Sequence, residues 1–119
     1  MGKKILIVDD EQEYLTAIKK FLSEFNYSVS DTVSSRQALE IIKKEKPDLV
    51  LFDYKIPDMD GEEFFKKAKE SMPSIPYFLI TAWNEAPILD RFRKLGVNEV
   101  MLKPVNLEEL LKKIQTAKI

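Results

Sequence analysis

Four short apolar runs in this chain each stop at a residue equipped for chemistry. Ile5-Leu6-Ile7-Val8 ends at Asp9-Asp10, and Leu49-Val50-Leu51-Phe52 ends at Asp53. Tyr77-Phe78-Leu79-Ile80 ends at Thr81, and Val100-Met101-Leu102 ends at Lys103-Pro104. A fifth, weaker run near Val29 ends at no reactive group. The runs predict strands over residues 4–8, 28–33, 48–52, 77–81 and 98–102. Nearly continuous apolarity is what burial on both faces of a parallel sheet requires, and the weak alternation of 28–33 suits a sheet edge.

Helical spacing fills the intervals. Residues 11–25 place Leu15, Ile18, Leu22 and Phe25 on one face, and Asn26-Tyr27 breaks the pattern. Ser34 or Ser35 caps a helix over 36–45 that turns Ala38, Leu39 and Ile42 inward, and Pro47 ends it. Asp60, with Glu63 three residues on, has capping-box spacing for a helix to about Ser71 that buries Phe64, Phe65 and Ala68. Residues 86–95 carry Ile88, Leu89, Phe92 and Leu95 and stop at Gly96. Asn106 caps the last helix, 106–117, with Leu107, Leu110, Leu111 and Ile114 on one face. Strands alternating with helices over short connections predict an α/β fold, a parallel sheet covered on both faces. The acids, the hydroxyl and the amine then emerge on one edge, where open α/β sheets bind ligands.

At 119 residues the chain is read as a single domain, 1–119. A net charge of -1 argues against nucleic-acid binding by general electrostatics. The absence of cysteine removes disulfides and zinc–sulfur sites, and the absence of histidine removes the commonest general base. Any metal must be held by oxygen, which points to a hard ion such as Mg²⁺. No apolar run has membrane-span length and no signal-peptide pattern is visible, so a cytoplasmic location is expected.

Asp9, Asp10 and Asp53 carry the chemical argument. Carboxylates gathered on one strand edge repel by up to ~4 kcal/mol per pair at 4 Å and an effective dielectric near 20. A cation would remove that cost. Mg²⁺ takes few carboxylates and completes its shell with water and phosphate oxygens, so the cluster invites a phosphoryl group. Lys103 offers a compact positive charge and Thr81 a hydroxyl for its oxygens. A carboxylate can itself be the nucleophile, and Asp53, on the strand expected at the sheet centre, suits that role. Read singly, each of these residues has a plainer explanation: Asp9-Asp10 and Asp53 as caps or turn residues, Thr81 as a strand former, Lys103 as a solvated lysine. Trp83 divides evenly between core packing and surface recognition.

At these residues the chain resembles the receiver domain of two-component response regulators. The resemblance spans essentially the whole chain: Asp9-Asp10 after the first strand, Asp53 with Pro57 and Asp60-Gly61 behind it, Thr81-Ala82, and Lys103-Pro104. It implies a flavodoxin-like (βα)5 doubly wound sheet in the order 2-1-3-4-5, an order the general account of such folds gives for this family. It implies that Asp53 is the phosphoacceptor and that Asp10 binds Mg²⁺, or Mn²⁺ in its place, with Asp9 assisting. The backbone carbonyl of Lys55 completes the protein ligands, and Thr81 and Lys103 bind the phosphoryl oxygens. The donor would be a sensor histidine kinase, a phosphotransfer protein or a small phosphodonor. The output surface would be the 83–117 face, monomeric before phosphorylation and open to dimerisation through 86–117 afterwards. No direct nucleic-acid or membrane contact is expected. The output partner stays unread, as does whether the chain stands alone or belongs to a longer regulator.

Three positions depart from the commoner receiver pattern. Val100 stands where many receivers carry a Tyr or Phe that swings inward on phosphorylation. Trp83 is large for a site rim, and Lys55 brings an ammonium beside the acyl phosphate; together they are expected to restrict attacking water. Other readings remain: an aspartyl phosphatase, which would want an acid where Lys55 stands; a flavin carrier, for which the acidic loop 9–13 is unsuited; and an interaction module that never takes phosphate.

Overall fold

The computed structural model describes residues 2–117 and 119, so Met1 and Lys118 of the single-domain expectation lie outside the described residues. Five strands, β1 (Lys4–Val8), β2 (Ser28–Thr32), β3 (Leu49–Phe52), β4 (Tyr77–Thr81) and β5 (Glu99–Leu102), form one sheet in the order 2-1-3-4-5. Every pairing within it is parallel. The helices are α1 (Gln12–Ser23), α2 (Ser35–Glu45), α3 (Gly61–Ser71), α4 (Ala86–Leu95) and α5 (Leu107–Thr116). A two-residue antiparallel ribbon pairs Lys55 with Asp60 and Ile56 with Met59. The order follows the expectation, with the polar run at the edge as β2.

The apolar runs divide by parity, because successive strand side chains point to opposite faces. Leu6, Val8, Val50, Phe52, Tyr77 and Leu79 pack one face against Ala38, Ile42, Phe64, Phe65, Ala68, Leu89 and Phe92 of α2, α3 and α4. Ile5, Ile7, Leu49, Leu51, Phe78 and Ile80 pack the other against Leu15, Ile18, Leu22, Leu110 and Ile114 of α1 and α5. Continuous apolarity thus serves two cores at once.

Two expectations need correction. Phe25 does not join the buried face of α1: the helix ends at Ser23, Asn26 turns the chain with φ 70°, and Phe25 is left 46% exposed beside Phe21. The helical spacing simply outlasts the helix. At α3 the Asp60 side chain accepts the Glu62 amide at 2.8 Å, as a cap does, but Glu63 pairs with Lys67 at 3.1 Å rather than returning to the cap. Ser34, not Ser35, caps α2, accepting the Gln37 amide at 3.2 Å. Asn106 caps α5 as expected, and Gly96 ends α4 in the left-handed region at φ 106°, where a side chain would be strained.

Candidate acidic phosphoryl site

The carboxyl ends of β1, β3, β4 and β5 do meet at one edge. Oxygens of Asp9, Asp10 and Asp53 lie within 4.8 Å of one another. The strand ends impose this: Asp9 continues β1, Asp53 continues β3 beside it, and the Asp53 amide donates to the Val8 carbonyl at 3.2 Å. Asp9 and Asp53 are buried at 2% and 6% exposure, whereas Asp10 is open to solvent. The cluster therefore has a closed floor and one accessible carboxylate.

Lys103 enters from the end of β5 and lies across the floor. Its Nζ is 2.7 Å from Asp9 Oδ2, 2.9 Å from Asp53 Oδ2 and 3.0 Å from Glu11 Oε1. Burial alone would lower the ammonium's pKa, but bonds to Asp9, Asp53 and Glu11 outweigh it and drive it well above the ordinary lysine value. Asp9 shows the opposite balance. Burial raises its carboxyl to about 6 despite the bonds from Lys103 and the Glu11 amide. One ammonium leaves the floor short of positive charge, and every other ligand at hand is oxygen. That donor set fits a hard divalent cation.

Thr81 is fully buried, and its hydroxyl oxygen accepts the Trp83 amide at 3.2 Å. The Thr81 carbonyl accepts the Lys103 amide at 2.9 Å, tying the ends of β4 and β5 together. Trp83 is half-buried and belongs to the rim: the Lys55 ammonium lies 4.3 Å from its ring centroid, and Tyr54 meets it edge-on at 6.0 Å. Of core packing and surface recognition, evenly weighted from the sequence, the half-buried ring does not join either apolar core. The Lys55 amide makes a long 3.4 Å contact to Asp53 Oδ1.

Two neighbours of the site were not legible as such. Glu11 takes the third arm of Lys103, and the Tyr14 ring lies 4.5 Å beneath the same ammonium. The Tyr14 hydroxyl is buried without a hydrogen-bond partner, and burial drives its pKa upward. The only sequence signal was position: both sit at the start of a helix that opens directly behind the Asp pair, three residues apart and hence on one side of it.

Comparison with known proteins agrees with this geometry. Residues 5–115 match the response regulator receiver domain family. The chain is 36% identical over 110 residues to the sporulation initiation phosphotransferase F of Bacillus subtilis (strain 168), covering 92% of this chain and 89% of that protein. It is 32% identical to the transcriptional regulatory protein ZraR of Escherichia coli (strain K12), covering 95% of this chain but 26% of the relative. Among solved structures, a CheY-like receiver domain protein from Methanospirillum hungatei JF-1 superposes with TM-score 0.93 at 33% identity, over 98% of this chain and 93% of that one. The chain belongs to the response regulator receiver domain family. It is a receiver domain of two-component signalling with the flavodoxin-like fold, and its family works with histidine kinases or phosphotransfer proteins and binds Mg²⁺ at an acidic pocket. Among the described residues no helix is long and apolar enough to cross a membrane.

Proposed function

We propose that this chain accepts a phosphoryl group on Asp53 from a phosphohistidine of a sensor kinase or phosphotransfer protein. The observation that carries the reading is the Asp9–Asp10–Asp53 cluster with Lys103 laid across its floor. Asp9, Asp10, Asp53 and the Lys55 carbonyl would hold Mg²⁺. Bound there, the ion would neutralise charge on the carboxylates and on the equatorial phosphoryl oxygens. An Asp53 oxygen forms the new P–O bond as the donor P–N bond breaks, and the electron pair leaves with the imidazole. Lys103 exchanges its bond to Asp53 for a phosphoryl oxygen, which needs little movement because it already touches that carboxylate. The protein's share is positioning and charge stabilisation.

Thr81 links the event to the output face. Turning its hydroxyl to the phosphoryl group gives up the Trp83 amide bond, so residue 83 and the segment behind it are released together. Val100 is only half-buried and offers no ring to follow. Trp83 is the large side chain coupled directly to Thr81, and it carries the signal in place of the usual aromatic. α4 is also fastened to α3 by a fork of two bonds from Arg91 to Glu62, at 2.5 and 2.7 Å. Movement of α4 must break or carry that pair. The face formed by residues 86–117 is the surface for an output partner or a second copy.

Incubation with acetyl phosphate and Mg²⁺, followed by intact mass measurement, tests the reading. Wild type is expected to gain one phosphoryl mass and Asp53→Asn none. An unphosphorylated wild type, or an undiminished adduct in the variant, would sink it.

The rim makes a second prediction. Lys55 and Trp83 are in cation–π contact, the Lys55 amide is 3.4 Å from Asp53 Oδ1, and on this reading the pair slows attack of water on the acyl phosphate. A cation–π contact of about 0.5–1 kcal/mol corresponds to a change of roughly twofold to fivefold in rate. Lys55→Ala and Trp83→Ala are each expected to shorten the phosphoryl lifetime by that factor. Because the two side chains act through one contact, the double variant is expected to be no faster than the faster single one. Unchanged decay in both single variants would exclude a gating role.

A further inference from the structure

Asp58 is at the turn of the short ribbon, between Ile56 and Met59, and looks from the sequence like an ordinary turn residue. Its carboxylate instead reaches the first turn of α2. Oδ1 accepts the Ser35 amide at 2.8 Å, and Oδ2 accepts the Arg36 amide and the Ser34 hydroxyl, each at 3.0 Å. A helix start leaves four amides without intrahelical partners. Here Thr32 Oγ1 takes the Ser34 amide, Ser34 Oγ takes that of Gln37, and Asp58 takes the two between them. The account closes only with Asp58.

The loop Asp58 belongs to is also pinned at its root. The Gly61 amide donates to the Tyr54 carbonyl at 3.1 Å. A Cβ on Gly61 would come within 2.5 Å of that oxygen and 3.0 Å of the Asp53 carbonyl, so only glycine permits this approach. The ribbon between root and tip pairs Lys55 with Asp60. Residue 55 is therefore held from both sides: by the pinch at Gly61 behind Asp53, and by the tether from Asp58 to α2.

We propose that Asp58 is a positioning residue for the metal: by clamping the tip of the 55–60 loop to the start of α2, it fixes the Lys55 backbone that completes the oxygen set of Asp9, Asp10 and Asp53. This rests on the reading of Lys55 as a ligand. Outer groups that orient metal ligands matter to affinity by about 10–100-fold. Asp58 acts through a backbone carbonyl, so the lower end applies.

The experiment is a Mg²⁺ titration of the full chain, followed by the fluorescence of Trp83, the sole tryptophan, and independently by calorimetry. Asp58→Ala is expected to weaken Mg²⁺ binding about tenfold. Asp58→Asn keeps one acceptor but sets an amide nitrogen against a helix amide, and is expected to fall between Asp58→Ala and wild type. Ser34→Ala removes the hydroxyl bond to Asp58 and the cap on the Gln37 amide but leaves both amide bonds to Asp58, so its loss of Mg²⁺ affinity is expected to be smaller than that of Asp58→Ala. The control is Tyr77→Phe, which deletes buried hydroxyl bonds to the Ala68 and Met72 carbonyls at the far end of β4. It is expected to lower stability while keeping the wild-type Mg²⁺ affinity. Wild-type affinity in both Asp58 variants overturns the proposal, and so does an equal loss in Tyr77→Phe. If Asp58→Ala fails to fold, Asp58→Asn decides alone. A wild type that binds no Mg²⁺ overturns the underlying site reading instead, so the two failures are told apart.

Discussion

Lys103→Ala is expected to destabilise the metal-free protein at neutral pH by about 3 kcal/mol, the scale for removing one partner of a buried ion pair. The side chains of Lys103, Asp9 and Asp53 are 10%, 3% and 8% exposed, so water cannot take over the lost interactions. The Glu11 arm adds little, because that carboxylate is 63% exposed and already hydrated. The loss depends on pH with a definite sign. In the wild type, Asp9 is lifted from 3.8 to about 6 by burial, so between those values the folded state binds more protons than the unfolded chain. Stability of the metal-free protein therefore falls as pH rises through that window, by about 3 kcal/mol in all, and levels off above it. Removing the ammonium takes away the Lys103 bond that holds the Asp9 carboxyl down, and so raises that carboxyl further. The deficit of Lys103→Ala is thus expected to be smallest near pH 4 and full near pH 8. Mg²⁺ at a hundred times its Kd is expected to return about 2.7 kcal/mol, since only the folded state holds the site. Urea unfolding at both pH values, with and without Mg²⁺, measures all three effects. A deficit independent of pH would mean that Lys103 contributes packing rather than charge. Phosphorylation by acetyl phosphate is expected to slow by about a hundredfold in the same variant, the usual scale for losing one preorganised donor to a developing anion.

Phe52→Ala is expected to cost about 3–5 kcal/mol, among the largest losses of any single truncation in the chain. Phe52 is 1% exposed on the central strand β3, and its ring meets Phe64 and Phe65 at 5.7 Å and Phe92 at 6.0 Å. α3 and α4 thus reach the sheet through one aromatic cluster, and alanine leaves a cavity between layers that cannot close on it. Phe52→Leu fills most of that space and is expected to lose much less. The cavity would lie directly behind Asp53, so phosphorylation is expected to suffer as well as stability. Urea midpoints for the two variants provide the check. A loss below about 2 kcal/mol for alanine would show that the helices can settle into the gap.

Much of the site was readable from the ends of the apolar runs taken together, for a physical reason. A parallel strand buried on both faces must be apolar throughout, so the first polar residue after the run marks the sheet edge. That rule located Asp9, Asp53, Thr81 and Lys103 without knowledge of any contact. Helix ends were read less well. The apolar spacing of α1 runs on to Phe25, but the chain turns at Asn26, and spacing alone carries no stop. Glu63 had the spacing of a capping box, yet Lys67, one turn along the same exposed face, competes for it.

The sequence alone determined the alternation of strands and helices, the two-faced burial of the sheet and the edge at which the reactive groups collect. These depend on the periods of 2.0 and 3.6 residues and on where a run becomes polar, all of which are local properties. Strand order came from the family resemblance, because local periodicity does not say which strands are neighbours. Only the tertiary structure decided that one ammonium is shared by Asp9, Asp53 and Glu11, that Lys55 lies over Trp83, and that Asp58 closes the start of α2. Each of these joins a side chain to a separate part of the chain. Such contacts leave no period or spacing in the chain, and they arise only when packing of the two cores fixes how the loops above them meet.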